Sequence, residues 1–230
     1  MVKIPGFFKG LGVKIGELPL MASKNSMAKA NERREAVLKA AAHLFGQLGF
    51  DGTSFSIVAE QAGEKKSFVQ YHFENKDVLW RETVSYVWLQ RNNALPRYIE
   101  DISLQRHSPA DNKTMIRELC RNILQFTFAH PEWVKIMFQE ASAPGPRLDW
   151  LVKEFIGTDF IEGRAMIELG QHHGVLPKVH AMDLLHILSG ALLYLVSVAP
   201  VTERVLGVSP DSPEYMERHI DTLMTLLQQA

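Results

Sequence analysis

The sequence has little cysteine, little net charge and no long apolar run. Its 230 residues include one cysteine, Cys120, so no disulfide can form within the chain and a reducing compartment is expected. Lysine and arginine total 25 against 26 aspartate and glutamate, so bulk charge does not indicate a polybasic nucleic-acid arm. The longest uncharged apolar stretch, residues 187–201, is short for a membrane span and predicts a core helix. We therefore expect a cytoplasmic protein without a membrane segment.

What remains is an ordinary globular composition, 46% hydrophobic and 22% charged. Apolar residues recur at helical spacing and no convincing strand alternation is present, which predicts an all-α fold. Residues 1–30 carry five lysines and lack sustained periodicity, so they are predicted to be a flexible tail. Met21 and Met27 leave open whether residues 1–26 belong to the native protein. Residues 31–80 and 81–230 are predicted to form two helical domains.

The pattern from residue 31 onward predicts a helix-turn-helix. Asn31 is a plausible cap for a first helix that ends at Gly49, and a turn with hydroxyl residues then precedes a short helix stopped by Gly63. A third short segment spans residues 64–73, and Asn75 caps a longer fourth helix. The third helix is too short to be stable alone, so it must pack on the others and present one face outward.

These residues resemble the tetracycline-repressor (TetR) family of transcriptional regulators. The resemblance covers about residues 33–80 at fixed spacing, with almost no gaps. It is carried by Arg34, Val37, Leu38, Ala40, Ala41, Leu44, Phe45, Gly49, Phe50, Thr53, Ile57, Val58, Ala59, Ala62, Gly63, Tyr71, Phe73, Lys76 and Leu79. It implies an N-terminal three-helix DNA-binding domain and a C-terminal helical domain that binds a small molecule and dimerises.

The resemblance also assigns the DNA-binding residues. Thr53 and Ser54 would cap the second helix and contact phosphate, and Lys76 would reach phosphate from the fourth helix. Lys65 and Lys66 would open the recognition helix, and Tyr71 and His72 would lie at its end. The packing of this short helix independently predicts an outward face that carries Lys65, Lys66, Ser67, Gln70 and His72. The chain departs from the family pattern at Glu64, Ser67 and Gln70, so no known operator sequence is transferred to it.

Side-chain chemistry supports the same assignment. Lysine can donate to guanine acceptors in the major groove and glutamine can pair with adenine. Lys66 and Gln70 are four residues apart and therefore share a helical face. Lys65, Lys76 and the amino ends of helices suit phosphates. The alternative is a solvated charged turn on a helical domain.

The C-terminal part is rich in aromatic residues and methionine on helices that should pack together. A cavity among such side chains would be apolar and adaptable, which favours a small apolar or aromatic effector. The predicted effector-binding residues are Phe126, Trp133, Met137, Phe155 and Met166.

The last two helices, predicted over residues 183–198 and 213–229, each show an apolar face. Two such pairs can form a four-helix bundle across a two-fold axis, so we expect a homodimer. The predicted interface residues are Leu185, Leu188, Leu192, Ile220, Leu223 and Leu227. The alternative is that these faces only complete the core of one chain.

The sequence thus predicts a ligand-responsive repressor that releases operator DNA when it binds its effector. We find no paired nucleophile and base and no metal-ligand set, so no enzyme activity, cofactor or metal is expected. Two other functions stay open at this point: a helical enzyme that keeps the motif for interaction only, and a helical scaffold without a small-molecule site.

Overall fold

The computed structural model describes residues 24–95 and 109–228. All regular structure within these ranges is helical. The first half contains α1 (Lys24–Gly52), α2 (Phe55–Gln61), α3 (Lys66–His72) and α4 (Lys76–Ala94). The second half contains α5 (Pro109–Ala129), α6 (Glu132–Ser142), α7 (Pro146–Leu151), a π-helical turn (Val152–Ile156), α8 (Gly157–His172), α9 (Ala181–Leu206) and α10 (Pro213–Gln228). The predicted all-α class is confirmed.

The first helix begins earlier than the sequence pattern predicted. Residues 24–30, assigned above to a flexible tail, form the first turns of α1, so that prediction is wrong for them. Residues 28–30 are exposed, and their alanine and lysine side chains continue a helix without needing an apolar face. The prediction for residues 1–23 lies outside the described residues.

Gly49 ends the straight part of α1, as predicted. Its φ of 71° and ψ of −178° lie in a region that only glycine adopts without strain. The chain then makes one more helical turn before α2. Asn75 caps α4 as predicted, because its side-chain oxygen accepts a 2.9 Å hydrogen bond from the Val78 amide.

One apolar core joins the N-terminal helices to α6 and α7. Val37, Phe45 and Trp80 from α1 and α4 are almost fully buried in it, as are Ile136 of α6 and Leu151 of α7. α6 packs directly along α1 as well as against α4. α1 to α4 therefore share their core with part of the C-terminal half.

A second core holds the C-terminal helices α5, α9 and α10 together. Cys120 and Leu124 of α5 pack in it with residues of α9 and α10, and all of these are buried. Arg117 and Arg121 on α5 form ion pairs with Glu217 on α10, and Arg117 also pairs with Asp221. This arrangement explains why the apolar faces of the last two helices are largely covered within one chain.

α9 is, by length and composition alone, sufficient to cross a membrane. It also contributes Leu192 and Leu195 to the second core, and Leu184 to a small third cluster with Ile167 and Leu176. It packs on α5 and α8 along that side. The packing is that of a core helix with one uncovered face, rather than of an isolated span.

Candidate DNA-binding surface and effector-binding core

α3 is held against the chain by one side and presents the other to solvent. Val69 of α3 and Phe73 just after it are fully buried and fix the rotation of the helix. The opposite side exposes Lys65, Lys66, Ser67 and Gln70, as the sequence pattern predicted, and it exposes Tyr71 as well. Tyr71 is the most exposed large side chain of this group, at 83%. The face offers cationic and amide donors on a helix of the right width for a major groove.

Thr53 and Ser54 play different parts. Thr53 is 1% exposed, and its hydroxyl donates a 2.8 Å hydrogen bond to the Gly49 carbonyl. The predicted phosphate contact of Thr53 is therefore wrong, because its hydroxyl is buried and already used to close the turn before α2. Ser54 is exposed and caps α2, with its oxygen 3.5 Å from the Ile57 amide. It remains placed for a phosphate at the start of α2.

His72 was predicted on the outward face, and it instead turns partly inward at the end of α3. Its ring lies 4.3 Å from the Phe68 ring and it is half-buried. Burial, together with the nearby Arg34 and Arg33, lowers the pKa of His72 below its usual value. At neutral pH it is therefore a packing residue with a neutral ring, and it adds little charge for a phosphate.

Arg33 and Glu64 form an ion pair that the sequence pattern did not predict. It joins α1 to the turn before α3, and the Arg33 guanidinium also lies 4.0 Å from the Phe68 ring centroid. The hydrogen bond from Arg33 lowers the pKa of Glu64. The acidic residue that departs from the family pattern thus fixes the position of α3. The pair joins residues 31 positions apart, so local sequence reasoning had no signal for it.

Lys76 stands at the first turn of α4 beside the end of α1. Its Nζ donates to the Asp51 carbonyl at 3.3 Å and lies 4.4 Å from the Phe50 ring centroid. The guanidinium of Arg147, from α7, lies 4.1 Å from the same ring centroid. Lys76 therefore occupies a fixed position next to the amino end of α4, where a phosphate is favoured.

Four of the five predicted effector-binding residues meet in the shared core. Trp133 is buried there, and Phe126, Met137 and Phe155 pack against it half-buried. Met166 of α8 is half-buried but is not part of this cluster, so its prediction is not supported by the packing. The 3.6-residue repeat placed it on a helix without showing which side of that helix faces the cluster.

The same core contains polar groups. Arg91 of α4, 8% exposed, donates hydrogen bonds of 2.7 and 2.5 Å to the Asp159 carboxylate of α8. The Trp88 indole nitrogen lies 3.4 Å from the same carboxylate. The buried Trp133 indole N–H has no hydrogen-bond partner among the described residues. The Thr127 hydroxyl, next in sequence to Phe126, is likewise buried without a partner among the described residues. The apolar interior of the cluster thus includes an indole donor that a ligand could satisfy.

The predicted dimer residues divide between two environments. Leu192, Ile220 and Leu223 are at most 6% exposed within a single chain, so the predicted interface is wrong for these three. They fill the second core, which is the alternative stated from the sequence. Leu188 and Leu227 are half-buried at its edge, and Leu185 is half-buried against the cluster of Ile167, Leu176 and Leu184. The exposed side of α9 carries Ile187, Tyr194 and Val201, each 59–65% exposed and spaced seven residues apart.

Within residues 24–95 and 109–228, no three histidine, cysteine or acidic residues come together in a way that could hold a metal ion. Cys120 is buried, and burial raises the pKa of its thiol to about 11.

Part of this chain matches a known protein family, and longer stretches of it resemble individual transcriptional regulators. Residues 37–83 match the family model described as bacterial regulatory proteins, tetR family. The chain is 26% identical over 149 residues to the transcriptional repressor NicS of Pseudomonas putida, covering 64% of this chain and 67% of NicS. It is 22% identical over 198 residues to the transcriptional regulator RutR of Escherichia coli K12, covering 85% of this chain and 88% of RutR.

Solved structures share the whole fold. The structure of AibR in complex with isovaleryl coenzyme A and operator DNA matches with a TM-score of 0.63 and 17% identity, over 85% of this chain and 97% of AibR. The fold and the exposed α3 are those of a helix-turn-helix protein. The family match over residues 37–83 confirms the resemblance to the TetR family of transcriptional regulators that was seen in the sequence.

Proposed function

We propose that this protein is a homodimeric, ligand-responsive transcriptional repressor. The observation that carries the proposal is α3, whose buried side is fixed by Val69 and Phe73 while Lys66 and Gln70 face solvent. Lys66 reads a guanine edge and Gln70 reads an adenine edge in the major groove. Ser54, Lys65, Lys76 and the amino end of α4 contact phosphates and set the register.

The effector site lies in the shared core around Trp133. AibR, which has the same fold, was solved with isovaleryl coenzyme A and operator DNA together, and NicS is named a repressor. In this chain the aromatic walls favour an apolar or aromatic effector, and the free Trp133 N–H favours one that carries a hydrogen-bond acceptor. The Arg91 charge is already neutralised by Asp159, so the acceptor need not be anionic.

Two copies associate through the uncovered side of α9. Ile187, Tyr194 and Val201 form an apolar stripe that repeats every seven residues and is exposed in one chain. Covering this stripe with its equivalent around a two-fold axis removes it from water. The proposal therefore replaces the predicted leucine interface with this stripe.

Footprinting on the DNA that flanks the protein's own gene tests the proposal. We expect protection of two half-sites about one helical turn apart, or somewhat more, and an affinity that falls steeply with salt. Binding of one chain to a single unrepeated half-site would contradict the dimeric mode, and an absence of protection at any salt would contradict DNA binding.

The same experiment bears on the two other functions considered from the sequence. A scaffold or an enzyme that kept only the motif would give no footprint and no salt-dependent binding. We propose a cytoplasmic, non-enzymatic protein, since its relatives are transcriptional regulators. An effector must lower operator affinity, and operator DNA must lower effector affinity by the same factor.

A further inference from the structure

We infer that Arg147, a residue of the C-terminal half, positions Lys76 for its phosphate contact through the Phe50 ring. The inference rests on the proposed function, because it takes Lys76 as a phosphate contact. It adds a positioning residue that neither the sequence pattern nor the family resemblance assigned. It also names a direct path from the effector core to the DNA-binding surface that bypasses the length of α4.

The first step is the way Lys76 is held. Its Nζ contacts the Asp51 carbonyl at 3.3 Å and the Phe50 ring at 4.4 Å, both from the end of α1. A lysine whose ammonium is already confined loses less conformational entropy when it meets a phosphate. The affinity that Lys76 contributes therefore depends on where the Phe50 ring stands.

The second step is that Phe50 is shared. The Arg147 guanidinium carbon lies 4.1 Å from the same ring centroid, within the range of a cation–π contact. The Lys76 ammonium and the Arg147 guanidinium carbon each lie within 4.4 Å of the Phe50 ring centroid. The two charged groups are therefore separated by no more than twice that distance. Arg147 thus holds the ring beside which the Lys76 ammonium rests, and it acts on DNA only through that ring.

The third step is that Arg147 is itself fixed by α6. Its Nε lies 2.9 and 3.1 Å from the two carboxylate oxygens of Glu140, which is only 6% exposed. A carboxylate buried this far needs its cationic partner, so the two side chains move together. Arg147 is thereby attached to α6 although it belongs to α7.

The fourth step connects this pair to the effector core. Glu140, Met137 and Trp133 are spaced by three and four residues, so they lie along one face of α6. The α6 backbone is also close to α1, because Gln139 Nε2 donates to the Gly46 carbonyl at 3.0 Å. A shift of α6 caused by an effector beside Trp133 would carry Glu140 and Arg147 with it and change the position of Phe50 and Lys76.

A double-mutant cycle on the full-length protein tests the inference. The variants are Lys76→Gln, Arg147→Gln and the double substitution. Each protein is titrated with sheared duplex DNA at KCl concentrations from about 50 to about 200 mM. In the chain with Lys76, Arg147→Gln should weaken binding about 2- to 5-fold per protomer, the size of a cation–π contact. In the Lys76→Gln background the same change should have no effect.

The salt dependence separates positioning from direct contact. Lys76→Gln should lower the slope of log K against log salt by about 0.9 for each protomer's phosphate contact. Adding Arg147→Gln should not lower it further. Equal losses from Arg147→Gln in both backgrounds, or a further fall in slope, would show an independent contact or a general structural effect and would overturn the inference. No loss in either background would also overturn it.

Two control variants complete the design. Arg147→Lys keeps a cation beside Phe50 and should restore most of the affinity lost in Arg147→Gln. Arg164→Gln makes the same charge change at an exposed arginine of α8 that is 2.7 Å from Glu168, and it should leave DNA binding unchanged.

A failure of Arg147→Lys to restore affinity overturns the inference, as does an equal loss in Arg164→Gln. If the unmodified protein binds no DNA, the proposed function fails as well; if it binds and the cycle is additive, only the inference fails.

Discussion

At the scale of single residues, the roles proposed for Lys66 and Lys76 separate sequence reading from general affinity. Lys66 is exposed on the outward face, whereas Lys76 is held beside Phe50 at the helix amino end. Lys66→Ala should relax base preference at one position and cost about 1–3 kcal/mol on the operator. Lys76→Ala should weaken all sequences alike. Affinities for the operator and its single-base variants measure both, and an even loss in both variants would contradict this division of roles.

Thr53 supports the fold and not the DNA contact. Thr53→Val removes the buried hydroxyl that donates to the Gly49 carbonyl, so we expect the free energy of unfolding to fall by about 1–2 kcal/mol. Intrinsic DNA affinity of the folded protein should be unchanged. Urea unfolding and DNA titration together provide the measurement. Ser54→Ala is the matched control at an exposed position, and a larger affinity loss from Thr53→Val than from Ser54→Ala would contradict the assignment.

Cys120 should be unreactive in the folded protein. Burial raises the pKa of its thiol to about 11, so almost no thiolate exists at pH 8 and the sulfur is also inaccessible. A thiol-specific reagent should label the native chain very slowly and the urea-unfolded chain at once. Rapid labelling of the native protein would indicate that the α5–α10 core opens readily.

At the scale of elements, the break in α1 is set by one glycine. Gly49 has a φ of 71° and a ψ of −178°, a backbone conformation that costs other residues about 1–3 kcal/mol. Gly49→Ala should therefore lower the free energy of unfolding by that amount. Gly46→Ala is the matched control in the same helix, since its added Cβ would meet neighbours only at ordinary contact distances of 3.6 Å and beyond. An equal loss at both positions would show that packing, and not backbone conformation, decides.

Much of the N-terminal half was predictable from sequence at this scale, and its limits are physical. Helix caps such as Asn75 and the break at Gly49 depend on residues a few positions apart, so a local pattern contains them. The start of α1 was missed because residues 24–30 have no apolar face to mark a helix. The Arg33–Glu64 pair and the contact of Arg147 with Phe50 join distant parts of the chain, and no periodicity records them.

The same reasoning explains the mixed result for the C-terminal half. Helical spacing identifies an apolar face on α9 and α10, but it does not state whether that face meets the same chain or a second copy. Leu192 and Ile220 were assigned to a partner and are buried within the chain. Four of the five predicted effector-binding residues pack in one core because large apolar side chains are buried where helices cross. Met166 lies apart from that core.

At the scale of the whole molecule, the exposed stripe of α9 predicts the dimer. Tyr194→Asp places a charge at the centre of this stripe, at a position 65% exposed in one chain, so it should give a folded monomer. Leu192→Asp is the comparison, since it buries a charge in the core and should instead yield unfolded or insoluble chain. Sedimentation and thermal melting distinguish the two results. A stable Tyr194→Asp dimer would place the interface elsewhere.

The core that α1–α4 share with α6 and α7 limits which DNA-binding heads can be joined to this C-terminal half in a chimera. The binding motif ends near residue 80, yet Trp80 and Phe45 are covered by helices that follow much later in the chain. A chimera that joins a foreign DNA-binding head to this C-terminal half at residue 80 would bring together two surfaces that were not selected for each other. Exchange of operator specificity should therefore succeed by altering the exposed residues of α3, and it should fail when the whole head is replaced unless the facing residues of α6 and α7 are exchanged with it.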